Sequence, residues 1–173
     1  MPALYRIRQF FWAARSWFGS EGDGDELAVR YLPPPAVELF RAMPRYDQQH
    51  ALKVADTLER EGHTEHDLLA AALLHDAGKS ATSGARLRLW HRVTVVLIHV
   101  SWPSLLERLA KDEPGSWRRP FHVQLHHAAL GAEAARRAGC SAAAADLIRR
   151  HEKAPDKALD PLLAALRAAD SQN

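Results

Sequence analysis

The stretch LLAAALLHDAGKS, residues 68–80, sets two metal-binding side chains, His75 and Asp76, at the end of an apolar run. His75 follows Leu68 and Ala72 at i+7 and i+3, and Asp76 follows Leu69 and Ala72 at i+7 and i+4. A helix over about 65–76 would therefore turn both toward its apolar side. The dipeptide alone decides nothing. With 10 His and a similar number of Asp in 173 residues, about 0.6 His-Asp steps arise by chance.

Apolar spacing and breakers give helix after helix along the rest of the chain and no alternating strand. Leu4, Ile7, Phe11, Ala14 and Phe18 mark an amphipathic N-terminal helix that ends in the Gly- and acid-rich linker GSEGDGDE. Asp23-Gly-Asp25 hints at calcium, but the remaining spacing of an EF-hand loop is absent. Pro33-Pro34-Pro35 forces an extended break. Helices follow at about 36–43, 46–61, 65–76, 86–101, 104–112, 120–138, 142–152 and 159–170. Gly62, Pro103, Gly139 and Pro155 punctuate them, with Thr64 as an N-cap candidate and Gly78 at a helix C-terminus. The division expected is residues 1–30 as N-terminal helix and linker, and 31–173 as one all-α bundle of seven or eight helices.

A chain of this length can bury a core without staples. Its 47% hydrophobic and 25% charged residues are those of an ordinary globule. A formal charge of +2 gives no electrostatic reason to expect nucleic acid, although an anionic small molecule can still find a basic pocket. The single Cys140 cannot form an internal disulfide, which points to a reducing cytoplasm. The most apolar run, Val93–Leu106, is broken by His99, Ser101, Pro103 and Ser104 and falls short of the about 20 residues a span requires. The face of the N-terminal helix is expected to pack on the domain. A partner protein or a membrane surface are the alternatives, because basic, aromatic helices can lie in that interface.

Other ligand-type residues fall on the inward faces of the expected helices. His50 shares a stripe with Val54 and Leu58, and His127 with Gly131 and Ala134, whose small size lets another helix approach. His151 follows Ile148 and Leu147, and Asp170 follows Leu166 and Leu163. Each alone reads as a satisfied core polar group. Six buried together would each need a separate partner, whereas one or two ions satisfy all of them. Imidazole and carboxylate suit Mn, Fe, Zn or Co, with Mg a further candidate. His63 and His66 belong to a polar turn, and His91, His99 and His122 lack matching partners. His126 shares a stripe with Glu133 and Arg137 and should face solvent, which leaves His127 as the inward member of that pair.

The order His50, His75-Asp76, Asp170 on an all-α chain resembles the HD-domain superfamily of metal-dependent phosphohydrolases. The segments HALKVADTL, LLAAALLHDAGKS, LHHAALGAEAARRAG, LIRRHE and ALRAAD carry the resemblance, which covers about residues 46–173. It implies that His50, His75, Asp76 and Asp170 hold one metal ion, and that His127 and His151 match the two histidines added by two-metal members. Asp76 would bridge, and a metal-activated water would cleave a phosphomonoester or phosphodiester, a nucleotide foremost. Lys79 could offset phosphate charge, or it could simply complement a helix dipole. Arg118, Arg119, Arg149 and Arg150 are further phosphate-binding candidates, although such residues are more often solvated surface cations.

Departures keep the substrate open. Gly78-Lys79 stands where stringent-response nucleotide hydrolases have an acidic pair. The segment EKAPDKA after His151 is neither the Gly-Tyr-Pro run of cyclic-di-GMP phosphodiesterases nor the His-Thr-Gly-like run of small diadenosine tetraphosphate hydrolases. The insert from His91 to Pro120 matches nothing assignable. Two other readings share the ligand set: a diiron oxygenase of the inositol-oxygenase type, and a non-catalytic nucleotide-binding module that signals through its N-terminal helix.

Overall fold

The computed structural model describes residues 24–81, 109–113, 116–152 and 160–173. Among them all regular structure is helical: α1 (Gly24–Tyr31), α2 (Pro34–Arg41), α3 (Arg45–Arg60), α4 (His66–Leu74), the single turn α5 (Gly78–Ala81), α6 (Arg119–Arg137), α7 (Ala142–Arg150) and α8 (Pro161–Gln172). The expected N-terminal amphipathic helix, the helix at 86–101 and most of that at 104–112 lie outside the described residues. So do His91 and His99.

α4 is the hub. Every residue from Leu68 to Leu74 is buried, so the helix is apolar all round, as a central helix must be. It packs against α1, α3, α7 and α8, while α6 packs against α5 and α7. Each fully buried leucine of α4 contributes on the order of 1.5–3 kcal/mol. This one apolar segment therefore anchors the bundle.

The helix ends show why the sequence folds as it does. Gly62 and Gly139 take φ of +90° and +91°, the left-handed region that only glycine enters without strain. His63 N–H then bonds Leu58 O and Gly62 N–H bonds Glu59 O, both at 3.0 Å; Cys140 repeats the pattern to Ala135 O at 3.0 Å. Both are Schellman closures that satisfy otherwise orphaned carbonyls. At the N-termini, Ser141 Oγ accepts from Ala144 N–H at 2.9 Å, and Asp160 Oδ1 accepts from Leu163 N–H at 3.3 Å. Pro161 follows at the first helical position, where its missing N–H does no harm.

Four local expectations are corrected. α1 begins at Gly24, inside the segment read as linker. Ala28 and Leu32 are buried in the main core, and Tyr31 Oη donates to Glu59 Oε1 at 2.6 Å, so tertiary packing overrides the weak local helix signal. The N-cap of α4 is Glu65, without a side-chain cap, in place of Thr64. The backbone at 110–113 is not helical. Gly78 opens α5 and has no left-handed φ; its role is steric. A Cβ there would stand 2.0 Å from His127 O and 2.5 Å from Gly131 N. Gly131 faces it reciprocally, with a Cβ meeting Gly78 N at 3.0 Å. The turn after α4 can therefore lie directly against α6.

Candidate metal centre

α4 and α7 both end without glycine. Their C-caps are His75 and His151, each in right-handed helical conformation. The ring turns back instead: His75 Nδ1 is 2.8 Å from Ala72 O, and His151 Nδ1 is 2.7 Å from Ile148 O. His127, within α6, repeats the geometry to Gln124 O at 2.8 Å. A carbonyl can only accept, so Nδ1 carries the proton in all three rings. Nε2 is thereby the atom turned toward the centre, the orienting arrangement typical of metal-bound imidazole.

These rings converge. Ring centroids run His50–His75 at 5.2 Å, His75–His151 at 5.2 Å and His151–His127 at 5.5 Å. Asp76 sits among them, with Oδ2 3.7 Å from His75 Nε2 and Oδ1 3.5 Å from His127 Nε2. Asp170 Oδ1 lies 2.9 Å from His50 Nε2 and 3.5 Å from His75 Nε2. Two ligand groups result, His50–His75–Asp76 and Asp76–His127–His151, each with its donor atoms within 4.8 Å of one another. Asp76 belongs to both.

Charge and burial sharpen the arrangement. Burial alone would raise the Asp76 pKa. The Lys79 ammonium, 2.6 Å from Oδ2, and the surrounding imidazoles together outweigh it and hold the carboxyl well below its ordinary value. Burial first, then Lys79, pushes His127 down to about 3. Burial, then His75, pushes His151 down to about 4. Asp170 is kept below its usual value despite burial, chiefly by its hydrogen bond with His50. At neutral pH the centre thus holds ionised carboxylates and neutral His127 and His151 rings, the forms that ligate.

The donor set fits a divalent cation. Among the described residues, the buried Nε2 atoms of His75 and His127 have no hydrogen-bond partner. A buried polar atom without a partner is costly, and a divalent cation would satisfy both nitrogens.

A model of the HD domain matches residues 48–171, from just before His50 to just past Asp170. The chain belongs to the HD-domain family. HD domains bind divalent metals and are generally metal-dependent phosphohydrolases. No curated protein and no solved structure matches the chain. In this HD domain all six residues singled out from sequence meet at one place, and Lys79 joins them.

Other candidates fall elsewhere. His126 is exposed, while His127 is fully buried. His63 pairs with Glu65 on the surface. Arg150 is engaged by Asp146 and Asp160, and Arg118 Nε donates to Leu109 O. Arg167 holds the end of α7, donating to the carbonyls of His151 at 2.9 Å and Arg150 at 2.6 Å. Sequence reasoning passes over two features. One is a second His-Asp step, His66-Asp67, at the opposite end of α4. The other is Glu152, whose Oε1 comes within 3.5 Å of His127 Nε2; only its place beside His151 could have hinted at it.

Proposed function

We propose that this HD domain is a phosphohydrolase that cleaves a phosphomonoester or phosphodiester, a nucleotide foremost, with water as nucleophile. The observation that carries the reading is the division of Asp76, one carboxylate oxygen toward His75 and the other toward His127. A carboxylate so placed is suited to bridge two cations, with His50, His75 and Asp170 completing one shell and His127 and His151 the other. Bound there, divalent ions such as Mn, Fe, Zn or Co would lower the pKa of a water and polarise a phosphoryl oxygen.

The chain's own residues supply the rest. The Nδ1–H bonds of His75, His127 and His151 fix the ring planes before any ligand arrives, which avoids reorganisation at the moment of binding. Lys79, in the glycine-started turn beside Asp76, supplies a positive charge next to the position a phosphate would take. As a flexible ammonium it can exchange Asp76 for a phosphoryl oxygen without rebuilding the turn.

Metal analysis followed by a phosphoester screen tests the reading. Purified protein should carry near-stoichiometric Mn, Fe, Zn or Co and turn over at least one of a panel of nucleotides, cyclic and linear dinucleotides and simple monoesters. A wild-type protein that stays metal-free in metal-supplemented buffer would sink it. Iron with an oxygen-sensitive absorption spectrum and an untouched panel would replace it with the oxygenase reading.

A further inference from the structure

The two orphaned imidazole nitrogens, His75 Nε2 and His127 Nε2, have matching surroundings. Each faces one oxygen of Asp76, at 3.7 Å and 3.5 Å respectively. His75 Nε2 has a second carboxylate oxygen, Asp170 Oδ1, at 3.5 Å. His127 Nε2 also has one, Glu152 Oε1, at 3.5 Å. In each ring Nδ1 already faces a backbone carbonyl, so Nε2 is the atom left toward the carboxylates. Two carboxylate oxygens and an imidazole nitrogen therefore stand together at each end of the centre, a donor set of the kind that divalent transition metals take.

Glu152 is well placed for this. It follows His151 in the turn that Arg167 holds through the carbonyls of His151 and Arg150, and its side chain is about half exposed, 52%.

We propose that Glu152 is a seventh ligand, serving the His127–His151 ion as Asp170 serves the His50–His75 ion. Each ion then has two imidazoles, one carboxylate of its own and a share of Asp76. This assignment rests on the two-ion reading of the centre.

Titration of the metal-stripped full chain with Mn2+, followed by calorimetry and by electron paramagnetic resonance of free Mn2+, tests it without reference to activity. The wild type should bind two ions. Glu152→Gln should keep one at wild-type affinity and bind the other at least about 10-fold more weakly. Asp170→Asn is the mirror variant and should weaken the other ion instead. Because Glu152 is half exposed, the far-UV circular dichroism of Glu152→Gln should be unchanged, so a folding defect would be recognised. Superimposable isotherms for the wild type and Glu152→Gln would overturn the assignment while leaving the two-ion reading in place. A wild type that binds fewer than two Mn2+ would overturn that reading, and this assignment with it.

Discussion

α4 carries a His-Asp step at each end, and the two have opposite fates. His66-Asp67 opens the helix on the surface: His66 is exposed, lies edge-on to Tyr31 at 5.8 Å, and Asp67 accepts the Ser141 hydroxyl at 2.6 Å. His75-Asp76 closes the same helix in the interior, where His75 is 1% and Asp76 6% exposed. At the first step solvent and a neighbouring hydroxyl satisfy the polar groups. At the second, no water-exposed surface is at hand and the partners are the buried histidines and Lys79. Identical dipeptides thus become a surface contact or part of a candidate metal centre according to which end of the helix meets α3, α6, α7 and α8.

The largest test of that contrast removes one carboxylate from each step. Asp76→Ala should lose bound metal and at least about 100-fold of any phosphoesterase activity while remaining helical. Asp67→Ala should keep both, as metal analysis and turnover assays would show. Equal losses from the two would abolish the distinction drawn here.

A smaller effect is expected from the turn that follows the second step. Gly78→Ala forces a Cβ toward His127 O, where 2.0 Å is available, and should cost about 1–3 kcal/mol. In a chain of this size that lowers the melting temperature by about 2–4 °C per kcal/mol. Gly62→Ala has nothing within 4 Å of its Cβ, so only the left-handed backbone penalty of about 1 kcal/mol applies. Thermal unfolding paired with metal titration separates them: Gly78→Ala should weaken metal binding as well, and Gly62→Ala should not.

The smallest effect belongs to the first step. Ser141→Ala removes both the cap of α7 and the hydroxyl that Asp67 accepts, for about 1 kcal/mol. Metal content should stay at the wild-type level. A loss of metal in this variant would mean that the two ends of α4 are coupled more tightly than their separate partners imply.

Much of this was legible from the residues. His50, His127, His151 and Asp170 each follow or precede apolar residues at helical spacing, and burial of that stripe turns each of them inward. The two helix-reversing glycines, Gly62 and Gly139, were legible as punctuation because a positive φ has a local signature. Gly78 was not, since its reason lies on another helix, in His127 O and Gly131 N. Glu152 was hidden for a similar cause: it stands past the end of α7, outside any apolar period, and gains meaning only from the nitrogen it faces. α1 looked like linker because glycines and acids dominate its start, while its burial depends on Ala28 and Leu32 finding the core.

The meeting of Gly78 and Gly131 has a mechanical consequence. Where two helical segments touch through side chains, a change of rotamer or of residue size can alter their separation. Here main chain rests against main chain, so the contact acts as a hard stop with nothing left to compress. The spacing of Asp76 from His127 is then inherited from peptide geometry and not from the bulk of neighbouring residues. Distant core positions such as Leu58 or Leu166 can change in size, and the strain will go to interfaces cushioned by side chains. Main chain against main chain thus sets this one dimension of the candidate metal centre.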